Sequence, residues 1–101
     1  MKSITTKEFS KEKEKFILLD VRGYDELALA RIDPHIQIPM MDIPKRMKEL
    51  DKGKPIVVMC HGGARSAQVC QYLEPLGYDV MNLEGGINAW SLTVDPTVPR
   101  Y

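Results

Sequence analysis

Pro55-Ile56-Val57-Val58-Met59-Cys60-His61-Gly62-Gly63-Ala64-Arg65-Ser66 is the stretch that sets the architecture. Its first half is continuous, β-branched and opened by a proline, which a strand tolerates at its first residue. A strand apolar on both faces belongs inside a parallel sheet covered by helices, so Pro55 to Cys60 is expected to be central. The second half is too glycine-rich for strand or helix. A helix is predicted after it from Ser66 to Leu76, with Ala67, Cys70, Leu73 and Leu76 as its apolar stripe and Gly77 as its stop.

Upstream, Phe16 to Val21 reads as a second strand covered on both faces, with Asp20 at its carboxyl end. Tyr24 to Ala30 reads as a short helix, and Ile36 to Ile38 as a brief strand closed by Pro39. Ile43 to Leu50 carries Ile43, Met47 and Leu50 at helical spacing, as in a surface helix docking one side. Nearer the start, Ser3 to Thr5 begins a short strand and Thr6 is the expected N-cap of a turn anchored by Phe9. Lys11 to Lys15 is a solvated charge run. Downstream, Asp79 to Leu83 forms a strand and Gly85-Gly86 turns the chain. Ile87 to Trp90 makes a short helix, and Asp95 to Tyr101, with Pro96 and Pro99, is an extended tail. The alternation of apolar runs with helical stretches is that of an α/β fold.

Composition narrows the function. With 101 residues, 44% of them hydrophobic, the chain has the length of one domain, 1–101, and enough apolar material for a core without staples. Two cysteines, Cys60 and Cys70, do not make a disulfide framework or a metal knuckle, so no metal is expected. Fourteen basic residues balance fourteen acidic ones, which gives no electrostatic reason to expect a nucleic acid or an anionic membrane as partner. There is no apolar leader, and Phe16 to Leu19 and Ile56 to Cys60 are far too short to span a bilayer. The expectation is a soluble, cytoplasmic protein with reduced thiols.

Chemistry concentrates after the central strand. Cys60 stands at its carboxyl end, where open α/β sheets bind ligands. Small residues from His61 to Ala64 let the loop curl so that backbone N–H groups, roughly Gly62 to Ser66, converge into a nest for an anion beside the positive end of the next helix. The same field favours a thiolate, so Cys60 is expected to be a reactive nucleophile. Arg65 either adds a forked donor to the rim or braces the loop from behind. A lone cysteine ending a strand is usually a small buried hydrophobe, but the glycine turn, arginine and helix start favour reactivity. Cys70, within the apolar stripe, is read as core packing rather than as a resolving thiol. Asp20 and Arg22 are expected to form an ion pair or brace the neighbouring loop. His61 is read as a solvent-facing loop histidine that could instead tune the nucleophile. Arg31, Lys45 and Arg46 are read as surface charges, and His35 has no evident partner.

These residues resemble the rhodanese-like domain family. Cys60-His61-Gly62-Gly63-Ala64-Arg65-Ser66 is similar to the family's active-site pattern of cysteine, two variable residues, glycine, one variable residue, arginine, then serine or alanine. Leu18-Leu19-Asp20-Val21-Arg22, with Glu26 after it, matches its first signature. Gly77-Tyr78, then Leu83-Glu84-Gly85-Gly86-Ile87 through Ala89-Trp90, matches its last. The run Ala30-Arg31-Ile32-Asp33-Pro34-His35 departs from the family's glycine-containing pattern. The resemblance implies a three-layer α/β/α domain with a central, mainly parallel five-stranded sheet. It also implies a sulfurtransferase in which Cys60 takes sulfane sulfur, as from thiosulfate, and holds it as a persulfide. The loop His61 to Ser66 would hold that anion, with no metal or organic cofactor, and the sulfur would pass to cyanide, a thiol or a sulfur-carrier protein. The segment Trp90 to Tyr101 resembles tails of rhodanese domains fused to enzymes that activate such carriers. Cysteine-dependent phosphatases and arsenate reductases are the competing class. They have one residue more between cysteine and arginine than the four here, His61 to Ala64, and this loop contains no aspartate to act as leaving-group acid. A non-catalytic interaction module is the third reading, and Cys60 argues against it.

Overall fold

A computed structural model describes residues 1–101. The chain runs β1 (Lys2–Ile4), α1 (Thr6–Lys11), β2 (Ile17–Asp20), α2 (Tyr24–Leu29), β3 (Ile36–Gln37), α3 (Ile43–Arg46), β4 (Ile56–Met59), α4 (Ala64–Leu73), β5 (Val80–Leu83) and α5 (Gly86–Thr93). The five strands form one sheet in the order β1-β5-β4-β2-β3, with every neighbouring pair parallel. The expected five-stranded sheet is therefore parallel throughout rather than mainly so, and β4 is its middle strand.

Alternation along the two central strands explains both layers of helix. Leu19, Ile56, Val58 and Cys60 belong to one core, shared with Ile43 of α3 and Val69, Cys70 and Leu73 of α4. Leu18, Val57 and Met59 point the other way, into a second core with Phe9 of α1 and Ile87 and Trp90 of α5. Neither face of β4 meets water, and all four of its residues are buried. That is why its sequence is apolar without interruption. Phe9 packs its ring at 5.7 Å from Trp90, which ties α1 to α5. No helix is long and apolar enough to cross a membrane.

Several boundaries differ from the sequence reading for identifiable reasons. Thr5, not Thr6, caps α1: its hydroxyl accepts from Glu8 N at 3.1 Å while the Glu8 carboxylate accepts from Thr5 N at 3.0 Å. α4 starts two residues earlier than expected, so Ala64, Arg65 and Ser66 form its first turn rather than loop. Gly63 is the cap, with φ of 113°, a left-handed conformation that glycine alone adopts without strain. α4 also stops at Leu73, because Pro75 has no N–H to donate to the carbonyl one turn back. The chain tightens there into a 3-10 turn, Glu74–Leu76, leaving Leu76 exposed outside the stripe. The helix expected over 43–50 is α3 followed by a 3-10 turn, Met47–Glu49. α5 runs on past Trp90 to Thr93.

Candidate active site

The carboxyl ends of β2, β4 and β5 and the amino end of α4 meet at Cys60. Its side chain is buried, and Sγ has two polar neighbours: the Gly63 N–H donates to it at 3.0 Å, and the Ser66 hydroxyl lies at 3.2 Å. The left-handed turn at Gly63 folds the loop back so that this amide faces the sulfur. Of the six residues from His61 to Ser66, only these two bring a polar group within hydrogen-bond distance of the sulfur. An added Cβ at Gly62 would meet nothing within 4 Å, so the loop is open on that side.

The rest of the loop is held from behind by α5. Ile87 N donates to Cys60 O at 3.0 Å and Asn88 N to His61 O at 3.1 Å, so the first free N–H groups of α5 take up the loop's carbonyls. This close approach explains Gly86. A Cβ there would lie 2.4 Å from both carbonyl oxygens. The Gly85-Gly86 pair thus does more than turn the chain, because it seats α5 against the cysteine loop.

Arg65 does not reach over the sulfur. Its Nη1 and Nη2 donate to the two carboxylate oxygens of Glu26 on α2, at 2.6 and 2.9 Å. Of the two sequence options, forked rim donor or brace, the geometry is that of a brace. The fork is a strong, charge-assisted pair. Hydrogen bonds from Arg65 hold the Glu26 carboxyl down at about 2, from an ordinary 4.5, against the opposing effect of burial, with Tyr101 helping. Because the folded value is the lower one, the pair's stabilisation is complete above pH 4.5 and is lost as pH falls toward 2. Screening at the partly exposed Arg65 reduces it to on the order of 1–2 kcal/mol. In urea titrations, a Glu26→Gln protein is therefore expected to be the less stable at pH 6, and the difference should shrink as the pH approaches 2. A difference independent of pH would remove the ion pair from the account.

Asp20 and Arg22 form a second pair, with both side chains fully buried. Arg22 Nε and Nη2 donate to Asp20 Oδ1 and Oδ2 at 2.9 and 2.7 Å, and Arg22 N donates to Oδ1 at 3.1 Å. The remaining donors are used as well: Nη2 bonds Ala30 O at 2.7 Å and Nη1 bonds the Tyr101 hydroxyl at 2.9 Å. Burial would lower the guanidinium, but its hydrogen bonds to Asp20 and Tyr101 prevail and hold it above its ordinary value. The bond to Ala30 O also anchors the start of the divergent run 30–35. Within that run Arg31 pairs with Asp33, and His35 Nδ1 lies 3.1 Å from both Ile32 O and Asp33 Oδ1, so His35 has the partners its sequence did not disclose. Arg46 pairs with Glu49 and donates to the Tyr24 hydroxyl.

The largest departure from expectation is the segment after α5. It folds back over the site, and the Tyr101 hydroxyl, besides accepting from Arg22, donates to Glu26 Oε2 at 2.7 Å. Its ring stacks on His61, with centroids 4.3 Å apart. His61 is therefore covered rather than facing solvent, and its Nε2 is buried without a partner. Asp20, Arg22, Tyr101, Glu26 and Arg65 make one continuous chain of hydrogen bonds beneath and beside the loop. Its two cations and two carboxylates balance in number, so the groups that touch Sγ are a backbone N–H and a hydroxyl rather than a guanidinium.

Sequence reasoning missed four contributors: Glu26 as a brace, Asn82, Gly86 and Tyr101. Asn82 on β5 donates to Gly63 O at 3.2 Å and accepts from Ser66 at 2.5 Å. A polar residue in an otherwise apolar strand was the available signal. Cys70 lies apart, fully buried in the first core, where burial pushes its thiol up to about 12. An apolar hollow of about 210 Å³ between α3 and α4, lined by Met40, Ile43, Pro44, Gln68, Val69 and Tyr72, does not include Cys60.

Comparison with known proteins agrees with this layout. A family model described as "Rhodanese-like domain" matches residues 5–93. A putative sulfurtransferase of Bacillus subtilis, YtwF, is 40% identical over 99 residues, covering 95% of this chain and 96% of that protein. A sulfurtransferase of Allochromatium vinosum is 46% identical over 79 residues, covering 77% of this chain and 74% of that protein. The crystal structure of a rhodanese-related protein from Thermoplasma volcanium superposes with a TM-score of 0.92 at 31% identity, covering all of both chains.

Proposed function

The chain belongs to the rhodanese-like domain family, and from that premise we propose that it is a sulfurtransferase, residues 1–101 acting as one domain and Cys60 carrying the sulfur. The Cys60 thiolate attacks the outer sulfur of thiosulfate or another sulfane donor. The donor's S–S bond breaks, sulfite leaves with the bonding pair, and the enzyme keeps a persulfide. A nucleophile such as cyanide, a small thiol or a thiol of a sulfur-carrier protein then attacks that outer sulfur and releases the Cys60 thiolate. The attacking thiolate and the persulfide are sulfur anions, and the Gly63 N–H and Ser66 hydroxyl at Sγ are the groups placed to hold them. Both cysteines are free, which suits a reducing compartment such as the cytoplasm.

The observation that carries this reading against phosphate ester hydrolysis is the engagement of Arg65. A phosphatase needs its arginine fork on the phosphoryl oxygens, whereas both Nη atoms here are spent on Glu26. The test is paired. Thiosulfate with cyanide should give thiocyanate, and an aryl phosphate should not be hydrolysed; hydrolysis that depends on Cys60 would reverse the ranking. A Cys70→Ser protein should keep native turnover while losing about 1–3 kcal/mol of stability to a buried hydroxyl. Lost turnover in a folded Cys70→Ser protein would mean that the second thiol takes part.

A further inference from the structure

Ser66 has one hydroxyl proton and three acceptors within reach: Asn82 Oδ1 at 2.5 Å, Gly63 O at 3.1 Å and the Cys60 sulfur at 3.2 Å. It can donate to only one of them at a time. The amide oxygen is the nearest, and Asn82 is held in place because its Nδ2 donates to Gly63 O at 3.2 Å. With its proton on Asn82, Ser66 offers the sulfur a lone pair, which a thiol S–H can fill. A sulfur anion has no proton to give. The hydroxyl must then rotate onto the sulfur and leave the Asn82 oxygen unpaired in a buried position, which is costly.

We infer that Asn82 is a positioning residue for the Cys60 sulfur, holding the Ser66 proton while the sulfur is a thiol and giving it up when the sulfur turns negative. The inference rests on Cys60 being the sulfur carrier, and it adds a residue that acts only through Ser66 and Gly63. The thiol's own proton leaves to a base in solution, and the hydroxyl does no more than turn. Asn82 therefore competes with the sulfur for the Ser66 proton, and its second bond keeps the Gly63 turn in register with the sulfur.

The test is a double-mutant cycle read by alkylation with iodoacetamide at pH 7, with Cys60 distinguished from Cys70 by peptide mass. In this reaction the Cys60 sulfur forms a bond to carbon and iodide leaves. Asn82→Leu removes the nearest acceptor and leaves only Gly63 O, at 3.1 Å, to compete with the sulfur for the Ser66 proton. Cys60 should therefore be alkylated about three- to tenfold faster, because one hydrogen bond to a charged group raises the thiolate fraction more than it lowers the sulfur's nucleophilicity. In a Ser66→Ala background the same Asn82→Leu change should alter the rate by less than about twofold. An unchanged or slower rate in Asn82→Leu, or an equal effect with and without Ser66, would overturn the inference. If melting shows Asn82→Leu to be unfolded, Asn82→Ala is measured and judged in the same way. Alkylation needs no sulfur donor, so a protein that failed to transfer sulfur would still give a clear answer here.

Discussion

An Arg22→Met protein is expected to lose about 3–5 kcal/mol of stability, a large part of the 5–15 kcal/mol typical of a domain this size. Methionine fills much of the same volume, so the loss is electrostatic in origin. Asp20 would remain buried with its charge unpaired, and Ala30 O and the Tyr101 hydroxyl would lose their donor. Adding Asp20→Asn should recover about half of the loss, because a neutral amide oxygen can still accept from Arg22 N, which bonds Asp20 Oδ1 at 3.1 Å. Urea unfolding of the two proteins decides the point. If Arg22→Met cost less than about 1 kcal/mol, in the range of an exposed pair, the buried pair would not organise this end of the sheet.

Cys60→Ser is the second large effect. Serine fits the same place, beside the Gly63 N–H and the Ser66 hydroxyl, so the fold should survive. Its oxygen cannot hold sulfane sulfur as a persulfide, and thiocyanate formation should fall by at least ~10³-fold, as when other enzymes lose their nucleophile. Loss of activity together with an unchanged melting temperature is the informative combination. Native-rate turnover in Cys60→Ser would place the chemistry elsewhere.

The parts of this molecule legible in its sequence are those governed by local pattern. Ile56 to Met59 is apolar on both faces, and it is the middle strand because only a doubly covered strand permits that. The cysteine loop could be located from Gly62-Gly63, since glycines there announce a turn that other residues resist. The cap at Gly63 was harder to see. A left-handed glycine pulled Ala64, Arg65 and Ser66 into α4, and nothing in their identities distinguishes a helix's first turn from a loop. Long-range pairing was invisible. Glu26 meets Arg65 across 39 positions and Tyr101 meets Glu26 across 75. No periodicity records such contacts, so the sequence leaves Arg65 open between rim donor and brace and cannot name Glu26 as its partner. Tyr101 read as tail for the same reason, though its ring covers His61.

This changes where the site's attraction for anions comes from. With both guanidinium groups engaged by carboxylates, the groups in contact with the sulfur are oriented N–H and O–H donors, and such groups act at short range. That suits one sulfur atom bound to Cys60 better than a bulky oxyanion held by a free guanidinium.

The most direct measurement is the intact mass of the protein after brief exposure to thiosulfate, followed by peptide mapping under non-reducing conditions. A gain of one sulfur atom, carried by Cys60 and lost on addition of cyanide, is expected. No gain, or added sulfur on Cys70 with Cys60 unmodified, would contradict the account.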